Sequence, residues 1–199
     1  VDTAAGFENL LGSAFNDTLT SGIGTNTIEG GAGNDVLTSG GGGTASYVGA
    51  TAGVTVSLAI AVAQNTVGAG TDTLSGFQNL LGSAFNDTLT GDGSQNTLTG
   101  GLGNDVFSGG AGNDRLFGGE GIDTAVLPGN RSANPFTKAT GAGWFIGTGV
   151  NPGQDVLNSV ERVQFDDGVV NIGFARTEDM AGRGYGDILF QSISGGWLY

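Results

Sequence analysis

The chain has 199 residues and a strongly acidic composition, with 19 Asp and Glu residues against 6 Lys and Arg residues and a formal charge of −13. This balance disfavours nucleic acids and anionic membranes as partners and favours cations. The sequence contains neither Cys nor His, which excludes disulfides, thiolate metal sites and His-based general-base catalysis. The metal chemistry that remains is that of a hard cation held by oxygen ligands.

Two further exclusions concern targeting and flexibility. No apolar run reaches the roughly 18 residues that a membrane-spanning helix needs, and residues 1–3 show no basic segment followed by an apolar one, so no signal peptide is predicted there. The 41 Gly residues fall mostly at a fixed period, which indicates a repeat architecture and not a flexible linker.

The first predicted element is a series of nine-residue repeats with Asp or Asn at the sixth position and an aliphatic residue at the eighth. It covers residues 12–38 as GSAFNDTLT, SGIGTNTIE and GGAGNDVLT, and position six holds Asp17, Asn26 and Asp35. The following segment, SGGGGTASY, contains no acidic residue. We therefore expect this first array to be short.

Residues 53–63 form a second kind of element, in which Val, Leu and Ile alternate with Thr, Ser and Ala. This period of two predicts a half-buried strand. After it the sequence repeats itself, because residues 6–20, GFENLLGSAFNDTLT, return as residues 76–90, GFQNLLGSAFNDTLT. The match is an internal duplication, and its second copy leads into a second array.

The second array covers residues 82–126 as GSAFNDTLT, GDGSQNTLT, GGLGNDVFS, GGAGNDRLF and GGEGIDTAV, and position eight is apolar in every repeat. The Gly-rich part of each repeat can adopt the positive-φ turns that other residues resist. The last three residues form a minimal strand with one inward side chain. Position six holds Asp87, Asn96, Asp105, Asp114 and Asp123.

The repeat length predicts how the position-six side chains stack. A turn and a strand make half a coil, so two repeats close one coil of about 18 residues, and successive coils lie about 4.8 Å apart. Residues one coil apart then sit directly above one another. The predicted columns are Asp87, Asp105 and Asp123; Asn96 and Asp114 on the opposite side; and Asp17 and Asp35 in the first array.

Stacked carboxylates of this kind need a cation. Two of them at this spacing repel by about 3–4 kcal/mol at an effective dielectric near 20, which a short Gly-rich strand cannot offset. A divalent cation between coils converts the repulsion into ligation, and turn carbonyls would complete the shell of about six to eight oxygens that Ca2+ prefers. Without calcium we expect this region to be disordered. The glycines predicted to lie at these sites are Gly30, Gly100, Gly109 and Gly118.

The predicted sites differ in strength. The gaps between Asp87 and Asp105 and between Asp105 and Asp123 have a carboxylate on both sides. Asn96 contributes a neutral oxygen, so the site that it shares with Asp114 is expected to be weaker. Asp105 would serve two sites, and its replacement is therefore expected to be the most damaging single change.

The nonapeptides stop at Pro128, and the next forty residues predict short antiparallel strands with a small core of their own. The segment DVLNSVERV at 155–163 echoes DTLSGFQNL at 72–80, which suggests a terminating coil. Glu161 has no partner at an interpretable spacing, so a solvated side chain is expected there. The predicted division is a β-roll over 1–127 and a C-terminal β cap over 128–199.

The nonapeptides resemble the RTX (repeats-in-toxin) family, whose repeat is G-G-x-G-x-D-x-U-x with U apolar. The resemblance implies an all-β fold, a parallel β-roll with Ca2+ between its coils. It also implies export by a type I secretion system to the outside of a Gram-negative bacterium, or to its surface, and folding on calcium after export. Residues 179–191 resemble one FG-GAP/VCBS repeat, but Ala181 and Arg183 replace two of its acidic residues, which favours a plain hairpin.

Three functions stay open at this stage. The preferred one is a non-catalytic calcium-binding module of a larger secreted protein, with no catalytic residue of its own. The second is part of a secreted enzyme, such as a serralysin-type metalloprotease or an alginate epimerase, since RTX modules accompany such domains. The third is an adhesion or carbohydrate-binding domain, in which Trp144 and Trp197 could stack on a sugar, although an aromatic residue in a small β core is the commoner case.

Overall fold

A computed structural model describes residues 9–138, 143–147, 154–172, 190–191 and 197–198. Apart from one 3₁₀ turn at Arg131–Ala133, the regular structure in these ranges is β, which confirms the predicted all-β class. The strands are Asn9–Leu11 (β1), Thr18–Thr20 (β2), Thr27–Glu29 (β3), Val36–Ser46 (β4), Thr55–Ser57 (β5), Gln64–Asn65 (β6), Thr71–Leu81 (β7), Thr88–Thr90 (β8), Thr97–Leu102 (β9), Val106–Ser108 (β10), Arg115–Glu120 (β11), Thr124–Val126 (β12), Phe136–Lys138 (β13), Gly143–Gly147 (β14), Gln154–Asn158 (β15), Arg162–Phe165 (β16), Gly168–Asn171 (β17), Phe190–Gln191 (β18) and Trp197–Leu198 (β19).

The strands of the nonapeptides stack in parallel with the register that the repeat length predicts. Leu89 pairs with Phe107 between β8 and β10, and Leu98 pairs with Leu116 between β9 and β11. In the second array, alternate repeats therefore contribute to opposite sheets, whereas β2 and β3 of the first array both pair with β4. One sheet has the order β1-β3-β4-β7-β9-β11-β15-β14-β13, and the other has the order β17-β16-β12-β10-β8-β5. This is the parallel β-roll expected from the sequence.

The core lies between the two sheets and is built from position eight of the repeats. Each repeat supplies one apolar side chain to it, because in a three-residue strand only the central side chain points inward. These side chains are all buried, and they are Leu19, Ile28, Leu37, Leu89, Leu98, Phe107, Leu116 and Ala125.

The segment between the arrays differs from the prediction. The strand expected over residues 53–63 is limited to β5, and Ile60 and Val62 are 41% and 69% exposed. Alternation alone does not form a strand where no second element covers the chain. Instead β4 and β7, of 11 residues each, pair with one another and run around a corner of the roll. This pairing joins the two arrays in one stack.

A glycine makes the corner in β7 possible. Gly76 has a φ of 74°, and a Cβ there would collide with the carbonyl of Ser39 in β4. Glycine adopts this backbone conformation without the steric cost that other residues bear. The chain therefore continues around the corner within a single strand.

Beyond Leu127 the structure combines both kinds of pairing. β15 pairs in parallel with β11 and β16 in parallel with β12, so the roll gains another coil. The expected antiparallel strands are β13 and β14, which extend from β15, and β17, which pairs with β16. The division at residue 127 stays a prediction. Residues 179–187, the core of the FG-GAP/VCBS resemblance, lie outside the described residues, as does the side chain of Trp197.

Candidate metal centre

The position-six side chains form a hydrogen-bond ladder along the roll. In the longer column, the Asp87 N–H donates to Asp105 Oδ1 at 2.8 Å, and the Asp105 N–H donates to Asp123 Oδ1 at 2.8 Å. The Asn96 N–H donates in the same way to Asp114 Oδ1 at 2.8 Å. Each hydrogen bond spans 18 residues, or one coil. The structure thus brings together the side chains that the sequence places in columns.

The first array repeats this arrangement at lower burial. The Asp17 N–H donates to Asp35 Oδ1 at 2.8 Å. Asp35 is buried, whereas Asp17 is only half-buried. Asp17 Oδ2 accepts hydrogen bonds from the N–H and the hydroxyl of Ser13. In the duplicated block Asp87 Oδ2 accepts the N–H of Ser83 and Asp87 Oδ1 accepts its hydroxyl.

Four carboxylates in the ladder have an oxygen without a partner. In each, Oδ1 accepts the backbone N–H of the preceding coil, while Oδ2 is buried and accepts no hydrogen bond in the described structure. A buried charged oxygen without a partner costs free energy, since nothing replaces the water that it has lost. The four residues are 1% exposed or less, and they are Asp35, Asp105, Asp114 and Asp123.

The unpartnered oxygens face cradles left by the position-one glycines. A Cβ on Gly100 would collide with Asp105 Oδ2 and would lie 2.8 Å from the carbonyl oxygen of Gly118 in the next coil. A Cβ on Gly82 would likewise meet Asp87 Oδ2 and lie 2.6 Å from the Gly100 carbonyl oxygen. A carboxylate oxygen and a carbonyl oxygen of the next coil therefore face one point, which only the absence of a side chain keeps open.

The other predicted glycines have the same relation to their acids. A Cβ on Gly30 would collide with Asp35 Oδ2, and a Cβ on Gly109 would collide with Asp114 Oδ2. At Gly118 the collision is with Asp123 Oδ2. Position one of the repeat is thus reserved for glycine wherever position six holds a buried carboxylate.

Asn96 differs from its acidic counterparts. Its Nδ2 donates to the Gln78 carbonyl at 3.0 Å and to Asp92 Oδ1 at 3.3 Å, and its Oδ1 accepts the Asp92 N–H at 2.8 Å. The amide is therefore satisfied by the protein itself. That the site of Asn96 and Asp114 is the weaker one stays a prediction.

Burial raises the pKa values of the ladder carboxyls. The pKa of Asp105 rises to about 7, first because the carboxyl is buried and then because Asp123 and Asp87 lie nearby, although the Asp87 N–H opposes the shift. Burial likewise raises the pKa of Asp123 to about 6, with a contribution from Glu161. The pKa values of Asp35 and Asp114 also rise, again mainly through burial. The metal-free fold thus disfavours the charged form of these groups.

Comparison with known families identifies the repeats. The model of the RTX calcium-binding nonapeptide repeat matches residues 3–43, 75–107 and 90–125, with four copies. These segments are RTX calcium-binding nonapeptide repeats. A search of curated proteins finds no match to the chain. RTX nonapeptide repeats bind Ca2+, so calcium is the cofactor of this part of the chain.

The oxygens of the RTX ladder suit calcium. Ca2+ takes carboxylate and backbone carbonyl oxygens in a flexible shell, and both kinds face the glycine cradles. Among the described residues no three Asp, Glu, His or Cys side chains gather into one cluster that could hold a metal ion. The remaining ligands must then come largely from the turns. In the same part of the chain, no helix has the length and apolarity to span a membrane.

The structure adds three acids that the period of nine does not predict. The Asp35 N–H donates to Asp72 Oδ1 at 3.0 Å, and the Asp114 N–H donates to Asp155 Oδ1 at 3.0 Å. The Asp123 N–H donates to Glu161 Oε2 at 2.8 Å, so the expectation that Glu161 has no partner is wrong, and the residue is half-buried. The period of nine does not predict these acids because loops inserted into their coils lengthen the spacing from 18 residues to 37, 41 and 38 residues. The shared D-x-L segments at 72 and 155 were the available signal.

A pair of glycine substitutions tests the cradles. Gly100→Ala places a methyl group against Asp105 Oδ2, and we expect calcium affinity to fall by about tenfold or more, or about 1.4 kcal/mol. Gly93→Ala in the same array is the control, because a Cβ there has nothing within 4 Å. Isothermal titration calorimetry with calcium measures both variants. Equal affinities for the two variants would show that the cradles do not hold the ion.

Proposed function

We propose that this chain is a non-catalytic calcium-binding module of a secreted protein, which folds on calcium after export by a type I secretion system. The observation that carries the proposal is the row of buried carboxylate oxygens without partners, each facing a glycine cradle. RTX repeat proteins are typically secreted, which supports an extracellular or cell-surface location. The secretion machinery is then a transient partner during export.

The proposed ligands are the position-six side chains and the position-one glycines of the RTX repeats. We assign Ca2+ to the gaps between successive coils, with residues 1–127 as the calcium-binding roll and residues 128–199 as the segment that completes it. The proposed ligand residues are Asp17, Asp35, Asp87, Asn96, Asp105, Asp114, Asp123, Gly30, Gly100, Gly109 and Gly118.

The energetics support folding that depends on calcium. The ladder brings carboxylates to within one inter-strand spacing of each other and buries them, while the apolar core receives only one side chain from each repeat. Charge repulsion and desolvation therefore oppose the fold, and many glycines add conformational entropy to its cost. Calcium binds only the folded arrangement of ligands, so its binding free energy becomes folding free energy.

The alternatives rest on residues other than the ladder. A catalytic domain joined to this module is compatible with the proposal and would lie outside the repeats. For a carbohydrate-binding face, Trp144 was one of two candidate stacking residues, but its side chain is 7% exposed and belongs to the core cluster. That burial favours the packing role for Trp144, so we retain the calcium module as the proposed function.

Limited proteolysis at controlled free calcium tests the proposal. We expect a protease of broad specificity to degrade the arrays at sub-micromolar calcium and to leave them intact at millimolar calcium. Extracellular calcium modules have dissociation constants of about 10⁻⁴–10⁻³ M, so the two conditions lie on either side of the expected transition. Millimolar magnesium is the control, since it keeps its waters and demands tighter octahedral geometry. Resistance to cleavage in chelator would contradict the proposal.

A further inference from the structure

The end of the ladder beyond the last RTX repeat has the features of another metal site. Asp123 belongs to the last nonapeptide, and its Oδ2 is buried without a hydrogen-bond partner. The nonapeptide pattern supplies no following repeat to pair with it, because the sequence after Val126 leaves the period of nine. The oxygens that face Asp123 Oδ2 must therefore come from a different segment.

That segment is the turn between β15 and β16. A Cβ on Gly118 would collide both with Asp123 Oδ2 and with the carbonyl oxygen of Ser159. Ser159 thus replaces the next position-one glycine, whose carbonyl faces the cradle at Gly82 and at Gly100. Ser159 has a φ of 48°, a conformation that non-glycine residues seldom adopt.

Glu161 takes the place of the next position-six acid. Its Oε2 accepts the Asp123 N–H at 2.8 Å, as Asp123 Oδ1 accepts the Asp105 N–H. The Glu161 and Arg162 N–H groups both donate to the Asp123 carbonyl, at 3.1 and 2.9 Å, which fixes the two segments together. Glu161 follows Ser159 by two residues, whereas the acid of a repeat follows its first glycine by five. The backbone therefore takes a different route to the acid, and the longer Glu side chain still reaches the Asp123 N–H.

We propose that Asp123, the Ser159 carbonyl and Glu161 form a calcium site that closes the stack beyond the last nonapeptide. The proposal rests on the proposed function, because it requires calcium between the coils. It extends the ligand set into a segment without repeat sequence. Calcium would then hold the coil of β15 and β16 onto the roll as well as the repeats onto each other.

Removal of one charge from Glu161 tests the site. Glu161→Gln keeps an oxygen that can accept the Asp123 N–H, so a purely structural role predicts unchanged calcium binding. We expect instead that the full chain binds one calcium ion fewer at saturation, or binds one ion at least about tenfold more weakly, in calorimetric titration. Glu120→Gln is the matched control, since Glu120 is exposed and lies three residues before Asp123.

The outcomes separate this inference from the proposed function. Loss of one ion in Glu161→Gln, with Glu120→Gln like the unmodified chain, supports the terminal site. Identical binding in all three overturns it and leaves the calcium module standing, whereas an unmodified chain that binds no calcium overturns both. Should Glu161→Gln not fold in millimolar calcium, Glu161→Asp decides. A folded Asp variant with the full number of ions supports a need for charge, and an unfolded one overturns the terminal site, because restoring the charge then restores nothing.

Discussion

Removing calcium at pH 8 is expected to unfold the roll, and acidifying the metal-free chain to about pH 5 is expected to restore part of its β structure. The first half follows from the buried carboxylates of Asp105 and Asp123, whose pKa values in the fold of about 7 and about 6 leave them ionised at pH 8, with no cation to pair with once a chelator is present. We expect most of the β signal in far-ultraviolet circular dichroism to disappear under these conditions. Readdition of calcium should restore it, and magnesium should do so poorly.

The recovery in acid follows from the direction of the pKa shifts. Folding without metal raises the pKa of Asp105 from 3.8 to about 7 and that of Asp123 to about 6. The folded form therefore binds more protons than the unfolded chain between about pH 4 and pH 7. Stability from these groups is fully present below the unfolded pKa and is lost as the pH rises through the folded pKa. The metal-free roll should accordingly gain stability from pH 8 to pH 5.

Calcium reverses this pH dependence. Protons compete with the ion for the same carboxylates, so the calcium-loaded roll should lose calcium affinity over the interval in which the metal-free roll gains stability. Circular dichroism at pH 8 and pH 5, each in chelator and in calcium, measures both trends in one experiment. A metal-free chain that keeps the calcium-loaded spectrum at pH 8 would contradict the calcium-dependent fold, and a flat response to acid would contradict the role of the buried carboxyls.

Asp105→Asn is expected to weaken the calcium-bound protein and to stabilise the metal-free one. Asp105 lies in the ladder between Asp87 and Asp123, so the loss of its charge affects two candidate sites. We expect calcium affinity to fall by about 100-fold, or about 2.7 kcal/mol. Asparagine keeps an oxygen for the Asp87 N–H and removes a buried charge. Since each unit of raised pKa costs about 1.4 kcal/mol, the metal-free fold should gain about 1–3 kcal/mol at pH 5.5, where the unfolded chain is still ionised at this position.

The opposite signs distinguish ligation from ordinary damage to the core. A substitution that only disturbs packing destabilises the chain with and without calcium. Asp167→Asn is the control for the change in net charge, because Asp167 is exposed and its amide could still accept the Arg131 N–H. Thermal unfolding in chelator at pH 5.5 and in calcium at pH 8 gives the two stabilities. A loss of stability in both media would show that Asp105 has a structural role alone.

The sequence predicts the parts of the fold that depend on a constant period. Because each nonapeptide contributes one turn and one three-residue strand, the vertical partners of Asp87 and Asn96 follow from counting, and the structure places them as counted. The same reasoning identifies the core, since the inward position recurs at the eighth residue. A short repeat thus fixes both the acids and the apolar layer behind them.

The parts that the sequence does not predict depend on where an inserted loop returns the chain. The ladder also includes Asp72, Asp155 and Glu161, which follow loops of different lengths. A constant spacing therefore cannot predict them. The prediction of a strand over residues 53–63 fails because it considers the local sequence pattern alone. That pattern suits a strand, but Val62 is 69% exposed because no neighbouring element covers it.

The hydrogen bonds of the ladder all run in one direction. In every case the N–H of the earlier coil donates to the acid of the later coil. One column runs from Asp17 to Asp35, and another runs from Asp105 to Asp123 and then to Glu161. The stack of coils therefore has a direction along its axis. Within a column, an internal coil thus directs its acid oxygens toward the coil before it and its backbone N–H groups toward the coil after it, so a coil inserted in the reverse orientation would face acid with acid and donor with donor.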